Sequence, residues 1–123
     1  MKNNSKKVVV IGASINPERY SNIAVKRLLK NNYEVIPIGI KKGKIHGIEI
    51  LTEKPALNDI HTVTLYINPG RQPEYYDYII KQNPKRIIFN PGAENPEFYR
   101  LALKNGIEPV EACTLVMLST STF

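Results

Sequence analysis

The residues of this chain best suited to chemistry are cations and small residues set on turns. The β-branched run from Lys7 ends at Gly12, and Gly12-Ala13-Ser14-Ile15-Asn16-Pro17 follows, then Arg19, Tyr20 and Ser21. A glycine closing a strand, with small residues after it, lets a phosphate approach the backbone. The N–H groups that open the next helix can then receive its charge. Arg19 adds a cation, and Ser14, Tyr20 and Ser21 offer hydroxyl donors. This is not the G-x-G-x-x-G fingerprint, because Ser14 and Pro17 stand where glycines are required. A second turn, Pro37-Ile38-Gly39-Ile40-Lys41-Lys42-Gly43-Lys44, carries three lysines and no carboxylate. NAD sites place an acid at this point to accept from the ribose 2′-hydroxyl. Lysines instead of that acid suit a ribose bearing its own phosphate, as in coenzyme A or NADP. The plainer reading is a solvated lysine turn.

Other chemistries find little support. His46 and His61 are the only histidines, and neither has Cys, Asp or Glu at ligand spacing, so no metal site is expected. Ser14 lies in no G-x-S-x-G elbow. No catalytic constellation is evident, and the expectation is a binding module. The single cysteine, Cys113, excludes a disulfide framework within the chain. It reads as a packing residue. The sharper alternative is a thiol at the sheet edge that forms a mixed disulfide with a ligand thiol.

The elements that must position these residues follow from periodicity. Lys7–Gly12, Tyr33–Gly39, Thr62–Ile67, Arg86–Phe89 and Ile107–Ala112 read as five strands. Pro37 belongs near a strand end or on an edge. Ser21–Lys30 reads as an amphipathic helix with Ser21 as N-cap, and Pro73–Gln82 as a helix with Pro73 in its first turn. A third helix opens on Asn95-Pro96-Glu97 and closes at Gly106. The stretch from Ile40 to Ile60 suits a loop or small hairpin, with at most a helical turn near Leu57. Leu115–Leu118 is apolar but of no evident type. Alternating strands and helices imply right-handed crossovers and a three-layer, Rossmann-like α/β fold with a five-stranded, mainly parallel sheet.

Ligands of such sheets bind outside the carboxyl ends of the strands. That edge comprises Gly12 to Ser21, Gly39 to Gly47, Ile67 to Arg71 and Asn90 to Asn95. Five of the nine prolines follow asparagine, and three of these pairs (Asn16-Pro17, Asn68-Pro69, Asn90-Pro91) lie on it. Asn-Pro initiates turns, which accounts for the repetition without invoking a ligand.

Composition sets the bounds. The chain has 123 residues, 42% apolar and 23% charged, which suits one compact domain over 1–123. Its net charge of +6 is uneven, with 10 basic and 3 acidic residues in 1–50 against 7 and 8 in 51–123. A basic half suggests a polyanionic partner. Nucleic acid is disfavoured, since the cations sit in loops and on one helix without interleaved aromatics. Met1–Lys7 is polar and basic, and the apolar run behind it is too short for an export signal or a membrane span. A cytoplasmic protein with a small nucleotide ligand, and neither nucleic acid nor membrane as partner, is expected. Pairing with a second copy or with an enzyme is left open.

Several segments together resemble the stand-alone CoA-binding domains of Rossmann type, which also occur in the alpha subunit of succinyl-CoA ligase. They are VVVIGASINPERYS (8–21), VIPIGIKKGKIHG (35–47), TVTLYINP (62–69), IIFNPGAENPEF (87–98) and GIEPVEACTLVMLST (106–120). The resemblance implies coenzyme A or an acyl-CoA across the C-terminal sheet edge. Gly12, Ala13, Ser14, Arg19, Tyr20 and Ser21, beside Pro17, would hold its phosphates. A lysine after Gly39 (Lys41, Lys42 or Lys44) would pair the ribose phosphate. Ile67, Asn68 and Pro69, with Arg71 nearby, would border the adenine, while Gly92, Ala93 and Glu94 after Pro91 would approach from the fourth strand. The family's Asn-Pro after strand 2 is here Ile38-Gly39-Ile40. An NADP-type domain or partial oxidoreductase is the alternative.

Overall fold

The computed structural model describes residues 6–123, so the polar segment 1–5, read as lacking an export signal, lies outside the described residues. The elements run β1 (Lys7–Ile11), α1 (Tyr20–Lys30), β2 (Glu34–Ile38), β3 (Lys44–Ile45), β4 (Ile48–Glu49) and β5 (Thr62–Leu65). A 3-10 segment (Pro69–Tyr75) leads into α2 (Tyr76–Gln82), followed by β6 (Arg86–Phe89), α3 (Pro96–Lys104), β7 (Glu108–Glu111) and α4 (Thr114–Ser119). Five strands form one sheet in the order β2-β1-β5-β6-β7, every pair parallel. The chain leaves β1 toward β2, then returns across it to β5, so the strand order reverses between β1 and β5.

Both faces of the sheet are covered, which is why its strands are continuous apolar runs rather than alternating ones. Val9, Ile11, Val63, Leu65, Ile87 and Phe89 pack with Ile79, Phe98 and Ala102 of α2 and α3. Val8 and Val10 face Val25 and Leu28 of α1, with Leu118 of α4 against the same cluster. The layers are thus helix, sheet, helix, the Rossmann-like α/β arrangement expected. Among the described residues no helix is long and apolar enough to cross a membrane.

Several local expectations hold. Asn95 caps α3, its Oδ1 accepting from Phe98 N at 3.1 Å, and Gly106 follows the Asn105 C-cap with φ +73°. Pro37 lies in the edge strand β2, where its missing N–H deprives no second neighbour. The irregular segment contains the antiparallel hairpin β3–β4, though no helical turn forms near Leu57. The apolar Leu115–Leu118 belongs to α4.

Two expectations need correction. First, α1 begins at Tyr20, so Arg19 rather than Ser21 holds the N-cap position, and no side chain caps it. Ser21 is buried in the first turn, where it cannot act as a flanking residue. Second, the helix expected over Pro73–Gln82 is α-helical only from Tyr76. Pro73 has no N–H for the carbonyl four residues back, and the chain crosses Pro69–Tyr75 in tighter 3-10 turns.

Candidate functional site

The loops after β1, β2, β5 and β6 enclose a cleft of about 550 Å³ at the carboxyl edge, against the β1/β5 reversal. Its size lies within the roughly 300–1,000 Å³ usual for small-molecule sites. The β1 loop contributes Gly12, Ala13, Ser14, Arg19, Tyr20 and Ser21; the β2 turn adds Gly39 and Lys41. Ile67, Asn68 and Arg71 follow β5, while Pro91, Gly92 and Ala93 follow β6.

The backbone here is built for close approach. Gly12 N and Ala13 N both donate to Ile38 O, at 2.9 and 3.0 Å, drawing the β1 loop onto the end of β2. A Cβ on Gly39 would collide with the Ala13 carbonyl, and one on Gly12, at φ +96°, would stand 2.9 Å from Tyr66 O. Only glycine fits both. Gly92 differs: at φ +92°, no atom lies within 4 Å of where its Cβ would be, so the wall is low and open.

The missing cap on α1 has a chemical consequence. Its first-turn N–H groups have no side-chain acceptor, and an unfilled helix N-terminus can receive an anion. Three cations stand around the same cleft, Arg19, Lys41 and Arg71, all exposed. Arg71 alone has an acidic partner among the described residues, Glu74 at 3.7 Å, a surface pair of small energetic weight. Positive charge, open N–H groups and glycine backbone fit a phosphorylated nucleotide such as coenzyme A.

Five residues read as site candidates do not line the cleft. Pro17 is exposed on the outer bend of its loop, whose shape Ser14 and Asn16 set by accepting from Asn16 N and Glu18 N. Lys42 follows Lys41 into the turn but stands off the wall, as does Lys44 in β3. Pro69 opens the 3-10 segment beyond the wall. Glu94 turns back on its own loop and accepts from Gly92 N at 2.8 Å. Cys113 is half-buried at the start of α4 and is also not on the wall.

Other residues of the site were not read as ligand contacts from sequence, Tyr75 having read as a core or interface residue. Ile15, Ile40, Tyr66 and Tyr75 line the cleft. Burial holds the Tyr66 hydroxyl well above the usual phenol range, with Cys113 nearby acting in the same direction. Asn22, buried in the first turn of α1, donates from Nδ2 to Ser14 O at 2.8 Å and so anchors the loop. Gln72 is fully buried and ties two walls together, its Nε2 donating to Ile67 O and Ala93 O. Its Oε1 accepts from Asn95 Nδ2 at 2.9 Å. On the far side, Asn90 donates to Thr64 Oγ1 and Leu65 O and accepts from Thr114 N, which seats α4. An Asn-Pro signal was legible at Asn90; nothing in the local sequence marks Gln72.

Comparison with known proteins bears on the family and the fold. A family model described as a CoA binding domain matches residues 6–119. A crystal structure of an uncharacterized protein shares 49% identity at a TM-score of 0.95, over 98% of this chain and 100% of that one. A hypothetical protein from Pyrococcus horikoshii OT3 shares 30% identity at a TM-score of 0.85, over 94% of this chain and 82% of its own. A dinucleotide-forming acetyl-coenzyme A synthetase from Ca. Korarchaeum cryptofilum, in complex with phosphate and ADP, matches at TM-score 0.73 and 18% identity. That match covers 89% of this chain and 26% of the synthetase, and is a likeness of fold. No curated protein matches the chain.

Proposed function

The chain belongs to the CoA binding domain family, and we propose that residues 1–123 act as one domain that binds coenzyme A or an acyl-CoA in the cleft, without catalysis of its own. The observation that carries this reading is the meeting of Arg19, Lys41 and Arg71, from three separate turns, around one glycine-lined cleft. Bound coenzyme A supplies a thiol, free or acylated; the chain's residues bind and orient it. The N–H groups of the β1 loop and first α1 turn, with Arg19, Tyr20 and Ser21, would take the diphosphate. Lys41 would pair the ribose phosphate, since it alone of the three nearby lysines is on the wall. Ile67 and Asn68 would border the adenine, with Gly92 and Ala93 opposite.

An NADP-type ligand shares the phosphorylated ribose that Lys41 favours, so the same measurement must include it. A thermal-shift panel of coenzyme A, dephospho-CoA, NAD and NADP decides. A ligand at about 100 times its Kd stabilises the fold by roughly 2.7 kcal/mol. The largest shift is expected with coenzyme A, and a clearly smaller one without the 3′-phosphate. No response to coenzyme A overturns the reading, and a larger response to NADP transfers the site to that nucleotide.

A further inference from the structure

A second concavity, of about 870 Å³, lies between the C-terminal half of α1, the β3–β4 hairpin and α4, and shares no lining residue with the cleft. Lys26, Arg27 and Lys30 wall it from α1; Leu29, Ile48 and Leu118, each half-buried, form its apolar part. From sequence the three cations read as a solvated helix face. The fold instead brings the hairpin and α4 beside them, so their charge borders a hollow rather than open solvent.

No carboxylate lines this groove, and among the described residues none of the three cations has an ion pair. Arg27 and Lys30, in the last turn of α1, complement the helix dipole. That does not account for Lys26, which sits one turn before Lys30 with the same charge, a spacing at which like charges repel. One turn from Arg27 stand Ile23, Ala24, Lys30 and Asn31, none of them acidic. Cations gathered around a low-dielectric hollow concentrate positive potential there.

We propose that this groove docks a short segment of a partner protein in which an apolar side chain is flanked by Asp or Glu. The apolar side chain would enter between Leu29, Ile48 and Leu118, and the carboxylates would meet Lys26, Arg27 and Lys30. Duplex nucleic acid or a membrane surface would reach the rim cations but leave the apolar part unused, and the wall holds the exposed His46 imidazole but no Phe, Tyr or Trp for a base to stack on. The proposal does not depend on coenzyme A binding, because the two sites have no residue in common.

The test is to pan a random dodecapeptide display library against the full chain. Enriched peptides are then measured by fluorescence anisotropy. They are expected to combine acidic with apolar residues and to bind equally with saturating coenzyme A present. Binding should fall by about tenfold or more in the Lys26→Glu/Lys30→Glu double variant and as salt rises. Ile48→Asp should weaken it comparably, and the double variant, which leaves the hairpin unchanged, keeps the test valid if Ile48→Asp disturbs it. Polyglutamate, duplex DNA and phosphatidylserine vesicles should each bind more weakly than the peptides. No enrichment, enrichment of non-acidic peptides, indifference to Lys26→Glu/Lys30→Glu, displacement by coenzyme A, or equal binding of any of the three polyanions overturns the proposal.

Discussion

The Nε2 of Gln72 donates to the carbonyl oxygen of Ala93 at 2.7 Å, across 21 residues of sequence and between two walls of the cleft. The same amide reaches Ile67 O at 3.0 Å. Both carbonyls belong to cleft-lining residues, so one fully buried side chain sets the separation of the β5 and β6 loops.

Gln72→Met keeps the volume and removes these bonds, leaving Ile67 O, Ala93 O and Asn95 Nδ2 each short of a partner. A buried polar group without a partner costs roughly 1–3 kcal/mol. Urea unfolding should show a loss of at least that size. Coenzyme A affinity should fall with it, because the wall spacing is released. Unchanged stability would show that the bridge does not hold the loops.

Lys41 and Lys42 are adjacent, yet only Lys41 lines the cleft. Lys41→Ala should weaken coenzyme A binding by about 1.5–3 kcal/mol, the scale of a charge-assisted hydrogen bond, and Lys42→Ala by far less. Calorimetry with dephospho-CoA should find the two variants alike. Equal losses with coenzyme A would assign the ribose phosphate to neither lysine in particular.

Gly12 combines a φ of +96° with an added-Cβ position 2.9 Å from Tyr66 O. A side chain there meets strain and a backbone clash together, and strained backbone alone costs about 1–3 kcal/mol. Gly12→Ala should therefore lower the melting temperature measurably. Gly92→Ala, with the same sign of φ but no atom near the added methyl, should cost less. The ordering of the two melting temperatures is the check.

His61 titrates below the ordinary imidazole value of 6.5 because burial disfavours its charged form; Arg86, Lys6 and Lys85 push the same way, against Glu108. Its Nδ1 lies 2.7 Å from the Thr62 hydroxyl, which accepts from Arg86 Nε and so has its own proton to give to a neutral ring. The folded state holds the imidazolium proton of His61 less tightly than the unfolded chain does. Between the lowered pKa and 6.5 the unfolded chain binds more protons, so stability is full above that window and falls as pH drops through it. Urea midpoints from about pH 5 to pH 8 should show the slope, and His61→Gln should reduce it. A slope that persists in the variant would place its origin elsewhere.

Much of this molecule is legible along the chain. The apolar runs at Lys7–Ile11, Thr62–Leu65 and Arg86–Phe89 mark buried strands, and Asn95-Pro96 and Gly106 bracket α3, because these signals act over one turn or one pleat. Strand alternation with helices then implied the parallel sheet, and that placed the loops carrying Gly12, Gly39, Ile67 and Gly92 on one edge. Within those loops sequence could not rank Lys41 over Lys42 and Lys44, because a turn's side chains point where its backbone is held. Here that backbone is held by Gly39 N on Leu51 O and Ile50 N on Gly43 O.

Which segments form the sheet, which edge is rich in cations and glycine, and the lack of an acid in the turn after β2 can all be read along the chain. Packing alone sets the uncapped start of α1 at Tyr20, the Gln72 bridge between Ile67 and Ala93, and the groove bordered by Lys26, Arg27 and Lys30. Period and capping are properties of neighbours in the chain. A buried amide's partners and the concavity beside a helix come from elements far apart in sequence, and exist only once packing has brought them together.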